Sequence, residues 1–337
     1  MTSPKTGAPL WTPAPDRAAG SNLAAFIRYV RAARLPDADA IGDYASLYRW
    51  SVARREAFWP AVWGFCGVVA DARGDREPWD AVGVGLDRMA PPDARAGPRW
   101  FPGARLNFAE NLLRRQDDGP AVIAVREGGP RRILTWAGLH TDTARVAAAL
   151  RDHGIQRGDR VAAYVPNIPE AIVAMLGAAS LGAIWSTCSP EFGVAGVVDR
   201  FGQITPRVLL CVDGYRYAGK AIDLRSRAAE VVARVPAIER VVVIPYLDLQ
   251  PDLSSIPLAA RWDEWLGASA GATRFDRLPF DHPLYILYSS GTTGLPKCMV
   301  HGAGGTLLQH QKEHVLHVDL RPVDRLFYAT TTGWMMW

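Results

Sequence analysis

The stretch Leu284–Thr306, LYILYSSGTTGLPKCMVHGAGGT, decides how the rest of the chain is interpreted. Its first part, LYILY, is a run of bulky apolar residues typical of a buried strand. The segment Ser289–Lys297, SSGTTGLPK, follows at once. Its glycines let the backbone approach a phosphate and expose N–H groups, while its hydroxyls and its lysine add further donors. The pattern therefore predicts a loop that holds a polyphosphate at the end of a strand.

The hydroxyls, the glycines and the lysine of this loop are the candidate site residues. We assign phosphate binding to Ser289, Ser290, Gly291, Thr292, Thr293, Gly294 and Lys297. Lys297, Thr292 and Thr293 are also the candidate catalytic residues, because cations and hydroxyl donors can stabilise charge that develops on phosphates. A glycine–threonine turn without a ligand is the alternative, but a nine-residue run of this kind straight after a buried strand argues against it.

Two common nucleotide-binding patterns do not fit this stretch. The Walker pattern places a glycine directly before the lysine and a serine or threonine directly after it. Pro296 and Cys298 occupy those positions here. GAGG from Gly302 also lacks the full spacing of the dinucleotide fingerprint. The loop therefore belongs to another class of phosphate site.

Composition places the chain among globular proteins with a sizeable core. It has 337 residues, of which 49% are hydrophobic and 21% charged. This length suits one large domain or two ordinary ones. Lys and Arg number 38 against 34 Asp and Glu, so the surplus of 38 − 34 = 4 is too small to argue for nucleic-acid binding.

The sequence carries no signal for membrane insertion or secretion. Its longest apolar runs are far short of a membrane span. Met1–Gly20 has no apolar core after its lysine, so it does not resemble a secretory signal. The four cysteines are far apart and form no CxxC, which argues for a reducing compartment and against a zinc or disulfide framework. We therefore expect a cytoplasmic location.

Strands and helices alternate from Gly119 onward. The predicted strands are AVIAVRE from Ala121, RVAAYV from Arg160, AIWSTCS from Ala183, RVLLCVD from Arg207, ERVVVIP from Glu239 and LYILY from Leu284. Helical patterns separate several of them, for example PEAIVAMLGAASLG from Pro169, whose Pro–Glu pair is typical of a helix start. Apolar strands that alternate with helices predict an α/β fold with a parallel sheet flanked by helices.

Aromatic residues dominate the segment Gly42–Val69. Phe58, Val62 and Phe65 recur at helical spacing. These residues predict a helical region rich in aromatic packing that precedes the α/β part of the chain. Because proline favours the first turn of a helix, we expect Pro60 to begin the second helix of this region.

The motif SSGTTGLPK resembles the signature of the adenylate-forming, or AMP-binding, enzymes, which include acyl-CoA synthetases, adenylation domains and luciferases. The resemblance implies that the loop grips the β- and γ-phosphates of ATP while a substrate carboxylate attacks the α-phosphate. Pyrophosphate leaves, and in the ligase branch the thiol of coenzyme A (CoA) then displaces AMP. ATP, Mg²⁺ and CoA are therefore the expected cofactors. A carboxylate acylates poorly until its oxygen belongs to a good leaving group, and fixed donors with Mg²⁺ must hold the charge that builds on the phosphates.

The resemblance extends over nearly the whole chain. Leu47–Phe65 and Trp100–Leu113 are similar to the N-terminal region of acetyl-CoA synthetases and their relatives. Within that group, three stretches resemble the acetoacetyl-CoA synthetases: Pro9–Val30, Tyr288–Leu320 and Leu326–Trp337. The resemblance implies acetoacetate as the acid substrate and an AMP-forming acetoacetate–CoA ligase. Three alternatives stay open: a ligase for acetate, propionate or a similar acid, a non-catalytic nucleotide-binding half-domain, and an ATPase without acyl transfer.

Matching positions also imply an acyl pocket. Trp334, Met335 and Met336 match positions at the acyl pocket of acetyl-CoA synthetases, where the residues after the Gly-Trp are smaller. Methionine adapts to irregular cavities, so the two methionines suit a pocket for a β-keto acid. Plain core packing of an apolar run is the alternative.

Further matches concern CoA. Arg216 and Lys220 match basic positions near its 3′-phosphate, although their spacing departs by one residue. Two solvated cations on a helix are the alternative. Ser189–Gly193 matches a turn beside the pantetheine, with Pro190 and Glu191 where the relatives have glycines.

Three histidines in the segment after the phosphate loop raise the question of a metal. His310, His314 and His317 share one helical face by spacing. No acidic residue completes a known metal pattern. We therefore predict no metal-ligand set among these residues.

The resemblance also implies a domain arrangement. Residues 1–118 correspond to the N-terminal region and residues 119–337 to the first part of the AMP-binding domain, which we expect to be incomplete. Later motifs of the family, including an acidic Mg²⁺-binding motif and a C-terminal domain, are not in these 337 residues. We therefore expect the chain to be the N-terminal half of a ligase and unable to complete catalysis by itself.

Overall fold

The computed structural model describes residues 11–88, 95–267, 271–289 and 294–337. The chain divides into two compact units. The helical unit comprises the described part of Met1–Val68 together with Leu307–Leu326, and the sheet unit comprises the described part of Val69–Thr306 together with Phe327–Trp337. Across these ranges, no helix combines the length and the apolar character that a membrane crossing requires.

Helices and strands alternate along much of the described chain. The α-helices are α1 (Pro15–Ala19), α2 (Asn22–Ala32), α3 (Tyr44–Ala53), α4 (Arg55–Cys66), α5 (Phe108–Leu112), α6 (Trp136–Asp152), α7 (Pro169–Leu181), α8 (Val194–Ile204), α9 (Arg225–Arg234), α10 (Trp262–Leu266) and α11 (Ala303–Gln311). A 3₁₀ turn spans Ala38–Ala40 and a π-helical turn spans Lys312–His317. The strands are β1 (Gly83–Val84), β2 (Arg99–Trp100), β3 (Arg105–Leu106), β4 (Pro120–Ala124), β5 (Arg132–Thr135), β6 (Arg160–Tyr164), β7 (Ile184–Cys188), β8 (Val208–Val212), β9 (Gly214–Tyr217), β10 (Lys220–Asp223), β11 (Arg240–Ile244), β12 (Ala259–Arg261), β13 (Leu278–Pro279), β14 (Pro283–Ser289) and β15 (Lys297–Gly302).

The main sheet of the sheet unit has the strand order β12-β11-β8-β6-β7-β14-β15. Neighbours from β12 to β14 pair in parallel, and β15 pairs antiparallel with β14. The predicted α/β fold with a mainly parallel sheet is confirmed. Strands β6, β8 and β11 are almost entirely buried, which explains why they read as continuous apolar runs in the sequence.

Strand β6 occupies the turning point of the sheet. The chain proceeds from β6 to its neighbour β7 and then to β8, which pairs with the opposite side of β6. Helix α6 packs against α7, and α8 packs against α9. In open parallel sheets, ligands bind outside the carboxyl ends of the strands where the strand order reverses. The residues that follow β6, β7 and β14 are therefore the candidates for ligand binding.

Aromatic rings organise the helical unit. The Phe26 ring of α2 lies 5.9 Å from that of Phe58 and 5.2 Å from that of Phe65, both edge-on. Phe58 and Val62 of α4 are buried. The prediction that Pro60 begins the second helix is wrong, because α4 starts at Arg55 and contains Pro60 in its interior. The buried aromatic face on both sides of this proline stabilises a helix that the local preference of proline opposes.

Asn107 ties the start of α5 to distant backbone in the sheet unit. It is fully buried, and its Nδ2 donates to the carbonyls of Ala179 (3.1 Å), Ser180 (3.1 Å) and Asp276 (2.9 Å). Its Oδ1 caps α5 by accepting the Glu110 N–H. The Ala179 and Ser180 carbonyls also accept the backbone N–H groups of Gly182 and Asp276, so the amide adds cross-links between backbone segments and is not their sole donor. Asn107, in the motif LNFAEN of residues 106–111, therefore has a structural role.

The substitution Asn107→Ala should lower the free energy of unfolding by about 2 kcal/mol, because it removes a helix cap and three hydrogen bonds from a buried amide to backbone carbonyls. Chemical denaturation followed by circular dichroism measures this change. Gln156→Ala is the matched control, since Gln156 is exposed and only its backbone N–H and carbonyl are used in hydrogen bonds. An unchanged midpoint for Asn107→Ala would contradict the role given to this amide.

Candidate active site at the carboxyl edge of the sheet

The carboxyl ends of β6, β7 and β14 lie at the same edge of the sheet because these strands run parallel. Val165 follows β6, Ser189 follows β7, and Ser289 is the last residue of β14. Ser189 is buried and Ser289 is half-buried. This edge therefore presents backbone and hydroxyl groups from three neighbouring strands at the reversal point of the topology.

The phosphate loop connects two paired strand ends. Ser289 at the end of β14 is the register partner of Lys297 at the start of β15. Ser290, Gly291, Thr292 and Thr293 lie outside the described residues. Gly294 has a φ of +130°, a conformation that favours glycine. Lys297 is exposed, so its side chain is accessible at the mouth of the loop.

Helix α8 fastens the exit of this loop. Gln203 Nε2 donates to the Pro296 carbonyl at 2.9 Å and to the Asp199 carbonyl at 2.6 Å. Cys298 Sγ lies 3.7 Å from Gln203 Oε1, which accepts a weak hydrogen bond from the thiol. One amide thus holds the residues on both sides of Lys297. Sequence reasoning missed Gln203, since no local pattern connects α8 with a loop some 90 residues later in the chain.

A cation from α8 lies beside the same strand end. The guanidinium of Arg200 stacks over the Phe192 ring at 4.3 Å and over the Tyr288 ring at 5.6 Å. Its Nη1 donates to the Gly196 carbonyl at 2.7 Å. Burial raises the pKa of the Tyr288 hydroxyl above its usual range, so this ring remains neutral. Arg200 therefore brings positive charge to the site between the turn after β7 and strand β14, a placement that no local sequence pattern indicates.

The turn Ser189–Gly193 is held by a tyrosine at the end of β6. Tyr164 Oη lies 2.5 Å from the Phe192 carbonyl and 3.2 Å from the Pro190 carbonyl. Tyr164 is completely buried and burial raises the pKa of its hydroxyl. The turn Ser189–Gly193 therefore lies at the carboxyl edge, where the hydroxyl of Tyr164 from β6 holds its backbone.

The last described segment, Thr330–Trp337, also lies on this edge. Thr332 is 1% exposed, and its Oγ1 donates to the Val165 carbonyl at 2.6 Å. The Thr187 hydroxyl of β7 donates to the Thr332 carbonyl. Backbone groups at the end of β6 and a side chain of β7 therefore hold this segment at the reversal point.

The three residues assigned to the acyl pocket follow Thr332 in this segment. Trp334 is 65% exposed and Met336 is 64% exposed, whereas Met335 is half-buried. Plain core packing therefore does not account for Trp334 and Met336 in the described part of the chain. The structure brings the segment and the ends of β6 and β7 together, at the edge where the phosphate loop begins.

Arg216 and Lys220 lie in a hairpin, and the alternative that placed them on a helix is wrong. Arg216 on β9 is the register partner of Ala221, and Lys220 on β10 is the partner of Tyr217. Because side chains alternate between the faces of a strand, Arg216 and Lys220 lie on opposite faces of the hairpin. Both are exposed. The geometry thus does not bring the two cations together on one face.

The three histidines belong to the helical unit. His310 lies in the last turn of α11, while His314 and His317 lie in the π-helical turn. The His310 and His314 rings are 6.1 Å apart, and the His317 ring meets Tyr44 edge-on at 6.3 Å. Over the residues that the structure describes, no group of three histidine, cysteine or acidic side chains is arranged to hold a metal ion.

Comparison with known families decides the classification. The sequence pattern of the family described as AMP-binding enzyme matches residues 108–336. This chain belongs to that family. The matched region includes the phosphate loop, the turn after β7 and most of the segment Thr330–Trp337.

Individual relatives of the AMP-binding enzyme family are similar over most of the chain. The acetoacetyl-coenzyme A synthetase of Rhizobium meliloti is 48% identical over 98% of this chain and 48% of its own length. The malonamoyl-CoA synthetase of Penicillium aethiopicum is 44% identical over 88% of this chain and 42% of its own. Among solved structures, acetoacetyl-CoA synthetase from Streptomyces lividans matches with a TM-score of 0.87 and 42% identity, over 98% of this chain and 49% of that one. The chain therefore spans about half the length of these relatives.

Thiol labelling tests the contact between Gln203 and the loop exit. We expect Gln203→Ala to raise the rate at which iodoacetamide alkylates Cys298 several-fold, because the thiol and the Pro296 carbonyl lose their partner. Mass spectrometry of peptides resolves each cysteine. Buried Cys188 and Cys211 are internal controls, since burial raises the pKa of each thiol to about 12 and the reactive thiolate is scarce at pH 8.

Gln156→Ala is the matched substitution, because Gln156 is an exposed glutamine away from the loop and should leave the rate at Cys298 unchanged. Equal Cys298 labelling in the native chain and in Gln203→Ala would show that Gln203 does not hold the loop exit.

Proposed function

We propose that this chain supplies two parts of an ATP-dependent acid–thiol ligase that forms acetoacetyl-CoA from acetoacetate, ATP and CoA. These parts are the phosphate loop and the acid wall, formed by Trp334, Met335 and Met336. The observation that carries the proposal is the shared carboxyl edge. The paired ends Ser289 and Lys297 close the phosphate loop there, and the segment Thr330–Trp337 is fixed across the neighbouring strands. The membership in the AMP-binding enzyme family supports the choice of adenylation over simple ATP hydrolysis.

The loop residues take the phosphates of ATP in this proposal. Lys297, exposed at the start of β15, neutralises charge on the leaving pyrophosphate, and the hydroxyls of Thr292 and Thr293 donate to phosphate oxygens. Ser289, Ser290, Gly291 and Gly294 complete the cradle with hydroxyl and backbone groups. Mg²⁺ bound to the phosphates would supply further charge neutralisation. We place it with the nucleotide, since the described residues hold no acidic cluster for it.

The reaction joins two displacements. An oxygen of the acid carboxylate attacks the α-phosphorus of ATP, the bond from that phosphorus to the bridging oxygen breaks, and pyrophosphate leaves. The thiol of CoA then loses its proton to solvent and its sulfur attacks the acyl carbon, the bond from that carbon to the oxygen shared with AMP breaks, and AMP leaves with that oxygen. The protein contributes by positioning the acid next to the phosphate and by stabilising developing charge, both of which are large effects at a pre-organised site.

The acid is proposed from the segment Trp334–Met336 and from the names of the relatives. Acetoacetate and malonamate, the acids named by the two quoted relatives, both carry a carbonyl group at the β position. The exposed indole of Trp334 and the methionines Met335 and Met336 offer a broad, adaptable wall for such an acid. Acetate or propionate would leave part of this wall uncovered.

Binding of CoA is proposed for the hairpin and for the turn after β7, both in the sheet unit. Arg216 and Lys220 lie on opposite faces of the hairpin, so we propose that one of them contacts the 3′-phosphate and the other remains in solvent. The turn Ser189–Gly193 would contact the pantetheine. In this proposal, residues 1–118 form the N-terminal region and residues 119–337 the first part of the AMP-binding domain.

A fusion of residues 1–337 to the part of the Rhizobium meliloti relative that follows its matched region tests the activity. We expect it to form AMP, pyrophosphate and acetoacetyl-CoA, with kcat/KM for acetoacetate well above that for acetate. Chromatography of nucleotides and thioesters measures all products. The 337-residue chain alone should give none. Release of inorganic phosphate without AMP, or a preference for acetate, would overturn the proposal.

In this fusion, Lys297→Ala should lower kcat/KM for ATP by roughly a hundredfold, because a charge-assisted contact to the leaving phosphates is lost. Lys297→Arg keeps the charge and should recover part of the loss. Lys312→Gln is the matched control, since Lys312 lies in the helical unit and pairs with Glu313. Equal rates for Lys297→Ala and the unsubstituted fusion would remove Lys297 from the site.

A further inference from the structure

A single side chain at the reversal point contacts both ends of the segment Thr330–Trp337. Asn167 lies in the loop between β6 and α7. Its Nδ2 donates to the Thr330 carbonyl at 2.7 Å, and its Oδ1 accepts the indole N–H of Trp337 at 2.5 Å. The donor and the acceptor of one amide thus bridge residues that are seven positions apart.

The middle of the same segment is held independently. Thr332 Oγ1 donates to the Val165 carbonyl, two residues before Asn167, and the Thr187 hydroxyl donates to the Thr332 carbonyl. The segment is therefore anchored at its centre by buried groups and at its two ends by Asn167. Between the centre and the second end, Gly333 is followed by the wall residues Trp334, Met335 and Met336.

Asn167 does not contribute to the core. The side chain is exposed, while the neighbouring Val165, Ile168 and Pro169 are buried. The hydrogen bonds of its amide to Thr330 and Trp337 both go to the segment Thr330–Trp337. An exposed asparagine that uses both polar groups of its amide on one segment acts on the position of that segment.

We propose that Asn167 is a positioning residue that fixes the Trp334–Met336 wall and thereby sets which acid the site accepts. This inference rests on the proposed ligase function and names a specificity determinant for it. Asn167 touches no reacting atom. It holds the wall residues across the carboxyl edge, so its loss affects binding of the acid more than binding of ATP.

Kinetics of the fusion with the Rhizobium meliloti relative test how Asn167 affects binding of the acid relative to binding of ATP. Asn167→Leu, which has a similar volume and no polar group, should raise the KM for acetoacetate about tenfold, the effect expected when two hydrogen bonds are lost. The KM for ATP should remain within about twofold, because the phosphate loop is held by other residues. Asn167→Gln retains both polar groups and should recover part of the affinity for the acid.

Thr330→Val is the matched control. The clasp formed by Asn167 with Thr330 and Trp337 uses only the backbone carbonyl of Thr330, so replacing its side chain should leave both KM values unchanged. Trp337→Phe removes the indole N–H and should raise the KM for acetoacetate in the native background. In the Asn167→Leu background, Trp337→Phe should add little, since the two substitutions remove the same bond.

Hydrogen exchange on the 337-residue chain gives a second readout that needs no activity. Asn167→Leu should speed exchange of the backbone amides in residues 330–337 about tenfold, while Thr330→Val should not. Unchanged exchange of these amides in Asn167→Leu would show that Asn167 does not hold the segment Thr330–Trp337. Faster exchange with equal loss of affinity for ATP and acid, or with no change in either KM, would overturn the positioning role. An unsubstituted fusion without activity would overturn the ligase function, and the selectivity role with it.

Discussion

Parallel pairing of β6 with β7 on one side and β8 on the other is the constraint on which the site depends. It makes β6 the point at which the strand order reverses, and it brings the carboxyl ends of β6, β7 and β14 to one edge. The buried Tyr164 of β6 fastens the turn after β7, and the Val165 carbonyl receives the hydroxyl of Thr332. The Tyr164 anchor would be lost if β6 shifted by one residue, because alternate side chains of a strand face opposite sides.

Two further interactions complete the edge. Helix α8 contributes Gln203, which holds the loop exit, and Arg200, which stacks on Phe192 and Tyr288. The loop itself closes between the paired ends of β14 and β15. In the proposed function, a polyphosphate and a small acid lie side by side on this edge, and holding two reactants in position lowers the barrier to their reaction.

Much of the fold could be predicted from the sequence because fully buried parallel strands appear as uninterrupted apolar runs. Strands β6, β8 and β11 showed this signal clearly. The edge strand β15 did not, since Lys297, Met299 and Val300 are exposed and its pattern is weak.

Pro60 was misjudged because the local preference of proline was given more weight than the packing of the aromatic face around it. The phosphate loop stays a prediction, and it could be proposed from the sequence because phosphate binding restricts residue types within a few consecutive positions. Contacts between distant parts of the chain left no such local trace: Asn167 reaches Thr330 across more than 160 residues.

The most informative single experiment is exchange of labelled pyrophosphate into ATP, catalysed by the fusion in the absence of CoA. This exchange isolates the first displacement, which needs the phosphate loop and the acid wall at the same edge. If the phosphate loop and the residues Trp334–Met336 act at the same edge, exchange requires acetoacetate and is much slower with acetate. Exchange that proceeds without any acid, or its absence in a folded fusion that binds ATP, would contradict that arrangement.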